Sequence, residues 1–232
     1  MMALPDFQAF AESIGYPFKN IEFLREAFTH RSYLNEHRGV QWSHNERIEF
    51  LGDAVLELVI TEYLFKKFPK ENEGRMTAYR SALVNTNSIA EVAAELNMGE
   101  YLLLSKGEAK DVGRARLAIL ANTFESVVGA IFLDQGHEAA KSFILKVLAP
   151  KIDKIIEARL WQDAKSNFQE LAQEHVAITP SYKTIREIGP DHEKIFEIGL
   201  YLGDELVATG QGKSKQDAEQ AAARAAIERK GW

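Results

Sequence analysis

The chain contains no cysteine. That excludes disulfides, thiolate metal centres and cysteine nucleophiles, and it suits a reducing compartment, so a cytoplasmic location is expected. Nowhere do 18 apolar residues run together, so no membrane-spanning segment is predicted. The first twenty residues carry Asp6 and Glu12 and lack the basic-then-apolar order of a secretory leader. Internal repeats and low-complexity tracts are also missing. Positive charge is in short supply: 28 Lys and Arg face 34 Asp and Glu, for a net charge of −6. Taken alone, that balance counts against a nucleic-acid partner. What is present, 46% hydrophobic residues in a chain of 232, suits one or two globular domains with a sizeable core.

From Phe7 to about Glu157 the apolar residues recur at helical spacing. Phe23, Leu24, Ala27 and Phe28 form one stripe, Ile89, Val92, Ala93 and Leu96 a second, and Phe143, Ile144, Val147 and Leu148 a third. Breaks fall at Gly39, at Pro69 to Gly74, in the charged loop Gly107 to Gly113, and at Gly136. After Trp161 the rhythm changes. A helix over Ser166 to His175 is followed by strand-like alternation at Tyr182–Ile188, Phe196–Leu202 and Glu205–Gly210, then by an alanine-rich helix from Lys215 to about Arg229. The expected architecture is therefore multidomain. An all-α domain over 1–157 and a linker over 158–164 precede a small α+β domain of order α-β-β-β-α over 165–232, with both helices on one face of an antiparallel sheet.

Within the helical part, Asn45-Glu-Arg-Ile-Glu-Phe-Leu-Gly-Asp-Ala-Val-Leu places Glu46, Glu49 and Asp53 within an arc of about 60° on one helix. Like charges aligned in this way repel. Either the face is solvated, or a hard divalent cation, which takes oxygen ligands, draws the acids together. The apolar neighbours Ile48, Phe50, Leu51, Val55, Leu58 and Val59, and Gly52 in mid-helix at a cost of about 1 kcal/mol, favour a buried site. A second apolar segment carries Asn122 and Glu125 three residues apart, so two helices facing each other would supply both walls of a metal site. Glu57, Asp134 and Glu108 are read as structural or solvated acids, and His30, His37 and His44 as helix-start or packing residues rather than a metal site.

These segments resemble the signature of the ribonuclease III family. The twelve residues from Asn45 carry the likeness, with Thr29-His-Arg-Ser-Tyr upstream, and with Gly107-Glu108 and the Asn122–Glu125 segment downstream. The C-terminal unit resembles the family's double-stranded-RNA-binding domain. The resemblance implies an endonuclease acting on double-stranded RNA with Mg²⁺, for which Mn²⁺ substitutes. It also implies products with 5′-phosphate and 3′-hydroxyl ends and a part in processing rRNA precursors and structured transcripts. Glu46, Glu49, Asp53 and Glu125 match the family's acidic catalytic residues. Glu49 and Glu125 are expected as direct metal ligands, with Asp53 and Asn122 completing the metal set and Glu46 in or next to it. The family usually has aspartate where this chain has Asn122. An amide oxygen still ligates Mg²⁺ but removes one negative charge, so a higher metal requirement is expected. A double-stranded-RNA-binding protein with weakened cleavage is the alternative that Asn122 supports.

The resemblance also implies a twofold homodimer in which the aromatic at Phe50 enters the partner, with Gly52 expected on the same interface. In the C-terminal unit it implies RNA contacts from Ser166, Gln169 and Glu170 on the first helix. Further contacts are expected from His192 in the loop Gly189-Pro190-Asp191-His192, and from Lys213 and Lys215 at the start of the last helix. Polar groups at such positions suit the A-form minor groove with its 2′-hydroxyls, and lysines at a helix N-terminus suit phosphate. The family commonly has a further lysine where this chain has Gln216. From Ala164 to Trp232 nine Lys and Arg face eleven Asp and Glu, so the placement of the cations, not their number, must attract RNA.

Overall fold

The computed structural model describes residues 4–110, 113–158, 161, 163–190 and 194–232. The chain separates into two compact units, Met1–Trp161 and Gln162–Trp232. The first is all-helical. It consists of α1 (Phe7–Ile14), α2 (Glu22–Ala27), α3 (Arg31–Glu36), α4 (Glu46–Lys67), α5 (Glu73–Val84), α6 (Thr86–Glu95), α7 (Arg114–Gln135), α8 (His137–Leu148) and α9 (Lys151–Glu157). Local chemistry sets the ends of these helices. Asp6, Asn72 and Asn85 cap α1, α5 and α6 by accepting from the backbone N–H three residues on, at 3.0, 2.8 and 3.0 Å. Gly15, at φ 86°, ends α1 in the left-handed conformation that a side chain disfavours. In α4, Glu46 and Glu49 occupy the first turn and Lys66 and Lys67 the last, in line with the helix dipole.

Helices α4 and α7 form the axis of this unit. Phe124, Val127, Val128, Ala130 and Ile131 of α7 are wholly buried, and Phe124 stacks on Phe143 of α8 at 5.7 Å. By length and composition alone α7 could cross a membrane over Ala115–Gln135, but most of it is buried against the other helices of this unit, as in the core helix of a bundle.

The two helices meet at glycines. A Cβ on Gly52 would lie 1.8 Å from the carbonyl oxygen of Glu125, and one on Gly129 would lie 2.4 Å from that of Ile48. No side chain fits between the backbones there. The mid-helix Gly52 therefore owes its place to this close crossing.

The second unit contains α10 (Ala164–Val176), β1 (Ser181–Ile188), β2 (Ile195–Leu202), β3 (Glu205–Gly212) and α11 (Lys215–Lys230). The strands form an antiparallel sheet in the order β1-β2-β3, so the expected α-β-β-β-α arrangement is present. Helix α11 lies directly on β3: a Cβ on Gly210 would approach the backbone nitrogen of Ala222 to 2.1 Å, and Ala218, Ala222, Ala223 and Ala226 are fully buried. Alanine is the residue that permits such an approach while favouring helix. Phe168 of α10, stacked on Trp232 at 5.6 Å, closes the core.

Ordered structure reaches into the segment read from the sequence as a linker. Trp161 packs edge-on against Tyr79 of α5 at 5.1 Å, and Asp163 caps α10 by accepting from Ser166 N–H at 2.8 Å. Both interactions pair residues that a composition-based boundary does not see.

Candidate active site and RNA-binding face

The start of α4 is fixed from the segment upstream. Thr29 is fully buried; its hydroxyl donates to the Arg25 carbonyl at 2.7 Å and accepts from the Trp42 indole at 3.0 Å. Its carbonyl accepts from Asn45 N–H at 2.9 Å, and the buried Asn45 amide donates to the Ala27 carbonyl at 3.4 Å. This network seats the first turn of α4, and the glycine crossing then brings that turn against α7. Glu49 and Asp53 of α4 thereby face Asn122 and Glu125 of α7.

Their electrostatics show the proximity. Burial, followed by the charges of Asp53, Glu49 and Glu57, pushes the Glu125 carboxyl up to about 7. Glu49 is likewise raised, by burial first and then by Glu46 and Asp53; the Asn122 side chain partly offsets this by donating a hydrogen bond to it. Among the described residues no three acidic or histidine side chains form a ready-made cage for an ion. The acids lie within electrostatic reach of one another without closing. The donor set of three carboxylates and one amide oxygen is purely oxygen, and its mutual repulsion is what a bound divalent cation would relieve. The residues therefore fit a hard divalent metal, held by Glu49, Asp53, Asn122 and Glu125.

Glu46 lies at the edge of this set, close enough to raise Glu49. Its side chain is 51% exposed and paired with Arg31 at 3.5 Å and His44 at 3.8 Å, while the acids that press on Glu125 are Asp53, Glu49 and Glu57. Glu46 therefore sits between the cations Arg31 and His44 on one side and Glu49 on the other. Gly52, expected on the dimer interface, is buried against Glu125 and Gly129 of its own subunit.

Phe50, by contrast, is 81% exposed, and with Leu58 (60%) and Phe65 (68%) it forms an apolar stripe on the outer side of α4. Glu57, read as a structural acid, forms an ion pair with Arg80 at 3.0 Å and also acts on Glu125. Asp134 accepts from the backbone N–H groups of Lys19 and Asn20 at 2.9 and 2.8 Å, and His30 caps α3, as structural readings expect.

Comparison with known proteins supplies the family. Residues 20–152 match the family model described as ribonuclease-III-like, and residues 164–230 match the double-stranded RNA binding motif. Ribonuclease 3 of Nitratiruptor sp. is 42% identical over 97% of this chain and 96% of its own length. Ribonuclease 3 of Carboxydothermus hydrogenoformans is 46% identical over 93% and 92%. The chain belongs to the ribonuclease III family. It is, by that membership, an endoribonuclease with a double-stranded-RNA-binding domain. The nuclease domain of ribonuclease III from Campylobacter jejuni, described for flexibility in a region involved in dimer formation, superimposes with a TM-score of 0.57. That match has 40% identity and covers 62% of this chain and 97% of that one.

In this ribonuclease III the RNA-binding unit presents two sets of residues. Ser166, Gln169 and Glu170 lie together on α10 and, with Gln173 and Glu174, line an open groove. Lys213 and Lys215 are exposed at the start of α11, where Ser214 caps the helix by accepting from Asp217 N–H at 3.1 Å. Lys215 is partly engaged by Glu187 at 3.8 Å. His192 lies outside the described residues. Arg31 and His44 were missed by sequence reasoning as partners of Glu46. They are 15 and 2 residues from it, and no periodicity links such positions.

Proposed function

We propose that this chain is a Mg²⁺-dependent, homodimeric endonuclease of the cytoplasm. In this reading it cuts double-stranded RNA to leave 5′-phosphate and 3′-hydroxyl ends and processes rRNA precursors and other structured transcripts. The observation that carries the reading is the convergence of Glu49, Asp53, Asn122 and Glu125 at the α4–α7 crossing, in a chain that also bears a double-stranded RNA binding motif. The absence of cysteine supports the cytoplasmic location. Glu49, Asp53, Asn122 and Glu125 would hold the metal, which when bound would supply Lewis-acid polarisation of the phosphate and a more acidic water. Asn122 steadies Glu49 through its amide N–H, leaving its carbonyl oxygen free to serve as a ligand. Ser166, Gln169, Lys213 and Lys215 hold the duplex. Incubating labelled duplex RNA with and without Mg²⁺, followed by end analysis with phosphatase and kinase, tests the reading. Absence of cleavage with retained RNA binding would instead support the binding-protein alternative.

Asn122→Asp restores the charge that relatives usually carry. It is expected to lower the Mg²⁺ midpoint for cleavage about tenfold, because affinity for a hard cation rises with ligand charge. Coincident titration curves for the two proteins would remove the assigned role of Asn122.

The homodimer rests on the stripe of Phe50, Leu58 and Phe65, which spans about 22 Å of α4 and would otherwise leave two aromatic rings in water. Phe50→Asp is expected to convert dimers to folded monomers in sedimentation, since within one subunit Phe50 packs against little. A variant that sediments as a dimer would place the interface elsewhere.

A further inference from the structure

Glu46 begins α4 one turn before Glu49, and Arg31 and His44 lie beside its carboxylate on the exposed side. Arg31 places one guanidinium nitrogen 3.5 Å from one carboxylate oxygen, and His44 places Nδ1 3.8 Å from the other. Arg31 opens α3, and hydrogen bonds of its neighbours anchor the backbone there. The preceding His30 donates its N–H to the Leu103 carbonyl at 3.1 Å. The ring of His30 accepts from Ser32 N–H at 3.3 Å, and the Ser32 hydroxyl accepts from Ser105 N–H at 3.0 Å. The guanidinium itself is 69% exposed and makes its contact with Glu46 through a single nitrogen, so most of its five donors face solvent beside the acids. Residues 1–163 hold nineteen Lys and Arg against twenty-three Asp and Glu. A polyanion brought to three clustered carboxylates in so acidic a domain needs a local cation next to them.

We propose that Arg31 binds a phosphate of the duplex beside the scissile bond, and that Glu46, with His44, is the positioning residue that orients its guanidinium rather than a metal ligand. A planar fork of donors suits two phosphate oxygens at once, and the single existing contact leaves that edge open. The inference rests on the reading of the chain as a duplex-RNA endonuclease.

The test uses the full chain and two measurements. In a Glu125→Gln background, where the duplex stays intact, binding of labelled duplex RNA is followed across a salt series. Adding Arg31→Ala is expected to reduce the slope of log affinity against log salt by about one unit, whereas Arg31→Lys keeps the slope. In otherwise wild-type protein, Arg31→Lys is expected to slow single-turnover cleavage, because a lysine cannot form the paired contact. Calorimetric titration with Mn²⁺ in the absence of RNA is expected to give Glu46→Gln an affinity within about twofold of wild type, and Glu49→Gln a loss of about tenfold or more. Arg80→Ala, which removes a cation paired with Glu57, serves as the control for loss of charge alone and is expected to leave the slope unchanged. An unaltered slope in Arg31→Ala, or equal losses of Mn²⁺ affinity in Glu46→Gln and Glu49→Gln, would overturn the inference while wild-type cleavage left the endonuclease reading intact. A wild-type protein that neither binds nor cuts duplex RNA would overturn both.

Discussion

Gly52→Ala is expected to destabilise the nuclease domain by about 3 kcal/mol or more and to abolish cleavage, although alanine favours helix over glycine by about 1 kcal/mol. The added methyl carbon would sit 1.8 Å from the backbone oxygen of Glu125, and no rotamer change can relieve a clash with main chain. The helices must move apart, and that motion opens the gap between Glu49 and Asp53 on one side and Asn122 and Glu125 on the other. The expected loss is a large part of the 5–15 kcal/mol that stabilises a typical domain. Chemical unfolding followed by circular dichroism measures the first effect, and duplex-RNA cleavage the second. A Gly52→Ala protein as stable and as active as wild type would show that the crossing does not hold the site together.

Glu125→Gln separates stability from activity. Cleavage is expected to fall about 10³-fold, since the metal loses an anionic ligand and the stabilisation at stake amounts to several kcal/mol. Metal-free stability should change in the opposite direction. The folded protein raises the Glu125 carboxyl from an ordinary 4.5 to about 7, so folding favours its protonated form. The resulting contribution is fully present below the ordinary value and is lost as pH rises through about 7. Wild-type protein in chelator should therefore lose about 2 kcal/mol between pH 4.5 and 8, a figure reduced for the partial exposure of the side chain. Glu49, also raised, adds in the same direction. Glu125→Gln carries no charge to expose and should show a flatter profile, with higher thermal stability at pH 8. Mg²⁺ should restore wild-type stability at that pH by binding the folded state. Equal pH profiles for the two proteins would mean that Glu125 is not held among like charges.

Much of this was readable along the chain. The 3.6-residue stripes marked the helices because each has one face on the core, and the change to alternation after Trp161 marked the sheet. The acids of α4 and the Asn122–Glu125 pair were legible because helical spacing places them on one side of each helix. The resemblance to ribonuclease III then tied the two segments together. Other features were not legible. Glu46 shares its arc with Glu49 and Asp53, and its pairing with Arg31 could not be read, because a helical wheel contains no information about neighbours from α3. Gly52 reads equally well as an interface residue or as a crossing point.

Local order is encoded in sequence through short-range rules. Periodicity, caps such as Asp6, Asn72 and Asp163, and the glycine at φ 86° each involve residues a few positions apart, and these specified the elements and the type of chemistry present. Contacts between distant segments carry no such signature. The approach of Gly52 to Glu125, the pairing of Arg31 with Glu46, and the burial that moves Glu125 to about 7 exist only once the helices pack. Oxygen ligands for a hard cation were therefore evident from the chain alone. Which of those acids come together, and which one pairs with a cation, depended on the α4–α7 crossing and on what packs around it.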